Sequence, residues 1–179
     1  MKSTPSISDA ERQMLDRREI MVSGMIDDEN ASVSISKLLF LQMRDSKAPV
    51  TLFINSPGGQ VTACLAIHDT IEFLEAPVHT HGLSLVSGCA LWLLAAGEPG
   101  HRSIQPDSWL AIEPTQFGSL EGETAEHARK LNARLAILLA SKTVLSEREV
   151  NSALLHGRSF TVAEAVEFSL ADKVSDRPL

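Results

Sequence analysis

The chain has 179 residues, 44% of them apolar, which is enough for one sizeable core and gives no sign of a second domain. Its formal net charge of −7 leaves no basic stripe to neutralise phosphates, so a nucleic-acid partner is not expected. The longest apolar run, residues 89–96, is too short to cross a bilayer, and we recognise no signal peptide. We therefore expect a cytoplasmic protein without a membrane partner.

The apolar patterns predict strands that alternate with helices. We expect residues 1–15 to be a flexible N-terminal segment and residues 16–179 to form a single domain. The predicted elements are a first strand from Ile20, a helix at 28–43, a strand at 50–54, a helix at 62–74, a strand at 78–82, a helix at 88–97, a strand at 108–112 and a long helix at 121–143. Such alternation is typical of parallel strands joined by crossover helices.

The turn Ser56-Pro57-Gly58-Gly59 joins an apolar strand to a helix. Because glycine has no Cβ, the N–H groups of Gly58 and Gly59 can approach a ligand closely. The positive end of the following helix favours negative charge or a carbonyl oxygen there. The turn is thus a candidate oxyanion and substrate-binding site, and the alternative is a glycine-rich connection without chemistry.

Separated motifs surround this turn. They are Asn55-Ser56-Pro57-Gly58-Gly59-Gln60-Val61-Thr62-Ala63, Leu93-Leu94-Ala95-Ala96-Gly97, Pro106-Asp107-Ser108 and Glu164-Ala165-Val166-Glu167-Phe168-Ser169-Leu170-Ala171-Asp172-Lys173-Val174. In sequence and order they resemble the Clp protease proteolytic subunit family, whose members are serine peptidases. The resemblance covers residues 16–174 and implies an α/β fold of the crotonase-like ββα spiral type, with parallel strands, a protruding handle helix and assembly into a ring.

The resemblance also implies where the catalytic triad of the family would fall, and all three positions are replaced. An alignment without gaps places the nucleophile on Gly88 and the base on Glu113, and counting back from the last motif places the aspartate on Gly157. Glycine supplies no nucleophile. The backbone N–H groups of Gly58 and Cys89 could still form a family-like oxyanion cradle.

Two active alternatives stay open. Ser87 directly precedes the nucleophile position, so a rearranged triad of Ser87, His156 and Glu113 would exchange the places of base and acid. Otherwise Ser87 is a helix N-cap and His156 a surface residue. The second alternative is a crotonase-type enzyme in which Glu113 acts as a general acid or base on an acyl group.

The leading interpretation is a catalytically inactive or impaired subunit. The resemblance implies a homo-oligomeric, heptameric ring, single or stacked, which binds peptides and is joined by an active Clp paralogue or an AAA+ Clp unfoldase. The segment between Glu113 and Gly157 is about one helical turn shorter than is typical of the family. This shortening either alters ring stacking through the handle helix or leaves it intact.

Cysteines and histidines give weaker signals. Cys64 and Cys89 lie in apolar helical surroundings, which favours buried thiols over a disulfide. His79 and His81 alternate on a predicted strand and share a face, but no third ligand has a matching spacing. We therefore expect no metal and no cofactor.

Overall fold

The computed structural model describes residues 8–114 and 122–175. Residues 1–7 of the predicted N-terminal segment and the predicted helix start at Glu121 therefore lie outside the described residues. The elements are α1 (Asp9–Asp16), β1 (Glu19–Ser23), α2 (Asp28–Arg44), β2 (Val50–Ser56), α3 (Val61–Phe73), β3 (Val78–Ser87), α4 (Ala90–Ala95), β4 (Arg102–Ile104), β5 (Trp109–Ile112), α5 (Gly122–Lys142), α6 (Glu147–His156), β6 (Arg158–Phe160), α7 (Val162–Glu167) and β7 (Lys173–Val174).

The strands of the described ranges form one sheet of mostly parallel strands. The order of hydrogen-bonded strands is β1-β2-β3-β4-β7. In addition, β5 pairs with β3 and β6 pairs with β5. All pairs are parallel except β5 with β6. The predicted α/β class with parallel strands is confirmed, and the antiparallel edge β6 is an addition to it.

Strand β3 is twice as long as predicted and pairs with β4 and β5 in turn. Its first part pairs with β4 from Thr80 to Gly82, and its last part pairs with β5 from Leu85 to Ser87. Between the two parts Ser84 has a φ of 45°, which bends the strand toward its second neighbour. The predicted end at residue 82 is wrong because the chain continues as a strand beyond this bend.

Helix α4 lies at the centre of the core. All six of its residues are buried, and the Trp92 Nε1–H donates a hydrogen bond of 2.8 Å to the Leu135 carbonyl on α5. Ala128, Leu135 and Leu139 of α5 are also buried, which confirms the helical spacing predicted for this segment. Helix α4 begins at Ala90 rather than at the predicted residue 88, because Gly88 has a left-handed φ of 52°.

The described part of the predicted N-terminal segment contains a helix. Helix α1 occupies Asp9–Asp16, so all but its last residue lie in the segment 1–15 that we expected to be flexible, and a capping box starts it. Ser8 Oγ accepts from the Glu11 N–H at 3.2 Å, while a Glu11 carboxylate oxygen accepts from the Ser8 N–H at 3.0 Å. This reciprocal pair satisfies two N–H groups at the helix start, which is why the helix forms before the first strand.

Two further observations complete the fold. Cys64 and Cys89 are both free and buried, so the prediction of buried thiols is confirmed. Across the described residues, the helices are too short or too polar to pass through a bilayer.

Candidate functional site

Two strands bring the predicted site residues together at one edge of the sheet. Strands β3 and β5 are parallel, with Ser87 opposite Ala111, so the residues that follow each strand emerge side by side. Gly88 follows β3 and Glu113 follows β5, and both line a cleft of about 600 Å³. The carboxyl edge of parallel strands is where α/β proteins commonly bind ligands.

The walls of the cleft come from six parts of the chain. Its lining residues are Met25, Pro57, Gly59, Gln60, Val61, Thr62, Gly88, Cys89, Trp92, Glu113, Pro114, Leu131, Leu135 and Leu154. One wall is polar, at the glycine turn and Glu113, and the opposite wall is apolar. The apolar wall was missed from the sequence because helical spacing indicates which residues of α5 and α6 are apolar but not that some of them face this cleft.

The glycine turn is held by the side chain of Ser56. Ser56 Oγ donates to the Gly24 carbonyl at 2.6 Å and accepts from the Gly58 N–H at 3.0 Å. This short-range bond between a hydroxyl and the N–H two residues later stabilises the turn. The Gly58 N–H is therefore engaged, which differs from its expected role as an oxyanion donor.

The Cys89 N–H, the other expected oxyanion donor, is free. Within residues 8–114 and 122–175 it donates no hydrogen bond, and it lies at the N-cap of α4. An unpaired N–H at a helix start can donate a hydrogen bond to a carbonyl oxygen or an anion. The cleft thus offers one of the two expected donors without any rearrangement.

Gly88, the aligned nucleophile position, has a backbone that disfavours a side chain. Its φ is 52°, and its N–H donates to the Ala111 carbonyl at 3.0 Å. A Cβ at this position would lie 2.9 Å from the Pro57 carbonyl oxygen. A serine here would have to adopt a rare conformation and displace the neighbouring turn.

Ser87 and Glu113 form a direct pair. Ser87 Oγ donates a hydrogen bond of 2.7 Å to Glu113 Oε1, and Ser87 is only 3% exposed whereas Glu113 is exposed. Ser87 ends strand β3, and the N-cap of α4 is Cys89, so the N-cap alternative for Ser87 is wrong. A carboxylate accepts the hydrogen bond of the serine hydroxyl here, in the place where a triad would have an imidazole.

His156 does not join this pair. It is exposed at the end of α6 and lines a separate cavity of about 190 Å³ with Gly157 and Arg158. No hydrogen bond in the described part of the chain connects it to Ser87 or Glu113. Of the three residues of the rearranged triad, the structure therefore brings two together.

Gly157, the third aligned position, closes helix α6 beside the cleft. Its φ and ψ are 77° and 150°, a combination that is almost confined to glycine. A Cβ there would lie 3.3 Å from Pro114 Cδ, one residue beyond Glu113. The three aligned positions are thus close to one another, and two of them have backbones adapted to glycine.

The thiols of Cys64 and Cys89 form a further feature of the site. From the sequence, only the backbone N–H of Cys89 was expected to take part. The Cys64 thiol donates to the Cys89 carbonyl at 2.9 Å, and Cys89 lines the cleft. Hydrogen bonding from Cys64 lowers the pKa of the Cys89 thiol despite its burial, whereas burial raises the pKa of Cys64. A cysteine directly after the aligned nucleophile position was the signal that could have indicated a reactive thiol.

The two predicted strand histidines have separate surroundings. His81 is buried, and its Nδ1 lies 2.6 Å from Ser103 Oγ. His79 stacks on His101 with ring centroids 4.1 Å apart. They do not act as a chelating pair, and both lie far along β3 from the cleft.

A comparison with protein families agrees with the fold and the position of the cleft. The family model described as Clp protease matches residues 2–178, which include the glycine turn, the central helix and the C-terminal motif. With nearly the whole chain matched, the protein belongs to the Clp protease family.

Proposed function

We propose that this chain is a Clp proteolytic-subunit homologue without independent peptidase activity, which forms or joins an oligomeric ring and binds peptides in its cleft. The observation that carries the proposal is the backbone of Gly88, at the position where the family has its nucleophile. A positive φ and a Cβ position only 2.9 Å from the Pro57 oxygen both disfavour a serine there. The cleft therefore lacks both the nucleophile and a ready place for it.

The neighbouring Ser87 is a poor substitute for that nucleophile. Its hydroxyl is 3% exposed and bound to a carboxylate. A carboxylate is a weaker base than an imidazole toward an alcohol, and it cannot protonate an amine leaving group as an imidazolium does. With His156 outside the pair, no described histidine completes a triad with Ser87 and Glu113.

Peptide binding is supported by what remains in the cleft. The free Cys89 N–H can donate a hydrogen bond to a peptide carbonyl, and the apolar wall formed by Trp92, Leu131 and Leu135 can receive an apolar side chain. Binding of this kind needs no nucleophile. It would let an inactive subunit hold peptides for active neighbours.

Ring assembly is supported by apolar side chains on the outer helices. Met43 on α2 and Phe73 on α3 are 86% and 75% exposed, and Phe40 and Ile137 are also exposed. Several large exposed apolar residues on one protein indicate surfaces that bind partners. By family membership we propose a heptamer, alone or mixed with an active paralogue, served by an AAA+ unfoldase. The free thiols of Cys64 and Cys89 favour a cytoplasmic location.

A second candidate function is acid–base catalysis at Glu113. The hydrogen bond from Ser87 positions Glu113 at the cleft, close to the free N–H of Cys89. A backbone N–H can bind the oxygen of an acyl group, and a carboxylate beside it can then remove or return a proton on that acyl group. This candidate needs neither His156 nor a nucleophile.

The activity test uses fluorogenic peptides and an activated-serine probe. We expect the purified protein to show no hydrolysis above background and no labelling by a fluorophosphonate. Introducing Gly88→Ser alone should restore nothing, because the new side chain would meet the Pro57 carbonyl and the residues that line the cleft include no histidine to take its proton.

Three variants separate the alternatives. Turnover in the unmodified protein that is abolished by Ser87→Ala or by His156→Ala would contradict the proposal and support the rearranged triad. Turnover that survives both changes but is lost in Glu113→Gln would support acid–base catalysis. Circular dichroism of each variant checks that its fold is retained.

The assembly test is light scattering at micromolar concentration. We expect a mass several times that of the 19.4 kDa subunit, and a value near seven subunits would identify a single ring. Only a 19.4 kDa species, alone and after mixing with an active paralogue, would refute ring assembly.

A further inference from the structure

We propose that His79, Glu98 and His101 form a binding site for one divalent transition-metal ion of the Zn²⁺ type. One ligand atom from each of these residues lies within 4.8 Å of the other two. The residues come from the start of β3 and from the loop between α4 and β4, so the fold rather than local sequence brings them together. The site is independent of the cleft and of the proposed function.

The backbone of all three residues is fixed by hydrogen bonds. The Glu98 N–H donates to the Val78 carbonyl at 2.8 Å, and the His101 N–H donates to the Glu98 carbonyl at 2.9 Å. The second bond closes a tight turn that holds Glu98 and His101 three residues apart. The Thr80 N–H donates to the His101 carbonyl at 3.1 Å, which places His101 beside His79. The three side chains therefore start from a rigid frame.

A further bond ties this turn to the core. The Gly100 N–H donates to Asp172 Oδ2 at 2.7 Å, and Asp172 in turn binds the buried Arg102. Because this backbone is already fixed, binding of a metal ion costs little backbone conformational entropy.

The ligand types suit a metal ion that is intermediate between hard and soft, such as Zn²⁺. Two imidazoles and one carboxylate form a common three-ligand set for Zn²⁺, with the fourth position open to water. Ligands of one tetrahedral ion are about 3.3 Å apart at Zn–N and Zn–O distances near 2.1 Å. His79 Nε2 and Glu98 Oε2 are 3.8 Å apart, so a shift of roughly half an ångström would suffice.

One movement is required. The rings of His79 and His101 are stacked with an interplanar angle of 8°, whereas a metal lies in the plane of each imidazole that binds it. His101 is exposed and can rotate about its side-chain torsions without disturbing the core.

The position of the site indicates a stabilising role. His79 starts β3, whereas Ser87 ends it, so the metal would lie at the amino edge of the parallel strands and away from the cleft. A bound ion would join the loop of residues 98–101 to β3. We therefore expect it to change stability rather than peptide hydrolysis or peptide binding.

Isothermal titration of untagged protein with Zn²⁺ tests the proposal. We expect one ion per chain, and at least a ~10-fold loss of affinity in each of His79→Ala, His101→Ala and Glu98→Gln. The matched control is His127→Ala, which removes an exposed histidine on α5 and should leave the affinity unchanged. Mg²⁺, a hard ion that prefers oxygen ligands, should not compete.

A second measurement uses Co²⁺, whose visible absorption reports low-coordinate binding by nitrogen and oxygen. We expect this absorption in the parent protein and its loss in His101→Ala, a surface change that does not endanger folding. The absence of stoichiometric Zn²⁺ binding would overturn the proposal. So would undiminished binding in His79→Ala and His101→Ala, because the ion would then lie elsewhere.

Discussion

The ion pair of Asp172 with Arg102 shows how a single residue stabilises the fold. Arg102 is buried and donates to both Asp172 oxygens, from Nη2 at 2.6 Å and from Nε at 3.1 Å. Burial alone would raise the pKa of Asp172, but hydrogen bonds from Arg102 and Gly100 outweigh it and lower the pKa below its ordinary value. The carboxylate thus stays ionised and balances a buried guanidinium.

Replacing Asp172 by Asn should therefore be costly. We expect Asp172→Asn to lower the free energy of unfolding by about 3 kcal/mol, because Arg102 would remain buried without its counter-charge. Asp69 provides the control, since its ion pair with Arg134 is half exposed and Asp69→Asn should cost less than about 1 kcal/mol. Urea denaturation at pH 7 measures both, and equal costs would contradict the argument.

Cys89 should be the more reactive of the two thiols. Because hydrogen bonding from Cys64 lowers its pKa, the Cys89 thiolate forms at a lower pH than an ordinary thiol, whose pKa is about 8.5. We expect iodoacetamide to modify Cys89 before Cys64, as measured by mass spectrometry across a pH series. Cys64→Ala should shift the pH profile upward, and Cys64→Ser should largely restore it. Earlier modification of Cys64 would refute this order.

Among the elements, three of the shorter helices begin at capping boxes. Ser8 with Glu11, Ser146 with Glu149 and Thr161 with Glu164 begin α1, α6 and α7. The pattern of Ser or Thr followed three residues later by Glu is visible in the sequence, so these three helices could have been predicted from it. Apolar periodicity alone missed them because two of them have eight residues or fewer.

Removal of one cap should weaken one element. Ser146→Ala is expected to lower the free energy of unfolding by about 1 kcal/mol, because Ser146 Oγ would no longer accept from the Glu149 N–H. Ser152→Ala, an exposed change within the same helix, is the matched control and should be nearly neutral. Denaturant midpoints compare the two, and a larger effect of Ser152→Ala would show that the cap is unimportant.

The long elements were predictable, and the site was predictable in part. Helices α2, α3 and α5 and strand β2 lie within two residues of their predicted bounds because their apolar patterns extend over many residues. Ser87 and Glu113 were placed in one candidate set with His156 as the base between them, so their direct hydrogen bond was not predicted. The separation of His156, the engagement of the Gly58 N–H and the group of His79, Glu98 and His101 depend on long-range pairing, which no local pattern encodes.

At the scale of the whole molecule, the sheet and its helices agree with the crotonase-like fold of the Clp protease family. Strand β3 is the central member, since it pairs with β2 along its length and with β4 and β5 in turn. Two histidines of the described ranges are buried, His81 on β3 and His68 on α3. Burial lowers the pKa of His68 and of His81, so both prefer the neutral form in the folded state.

Stability should accordingly depend on pH. Because the folded pKa values lie below the unfolded value of about 6.5, their contribution is fully present above that pH and is lost as the pH falls through the folded values. We expect the free energy of unfolding, measured at fixed protein concentration from pH 8 to pH 5, to decrease below about pH 6.5. His81→Asn should flatten this slope, whereas exposed His127→Asn should not. An unchanged slope in His81→Asn would contradict the assignment.

The backbone at Gly88 and Gly157 also determines which substitutions the two positions tolerate. A mutation to serine at the first position or to aspartate at the second would place a side chain on a backbone conformation that favours glycine. We expect each of these two substitutions to lower stability when it is made alone. The two glycines therefore restrict which side chains can be introduced at and beside the cleft, even where the rest of the fold would accept the change.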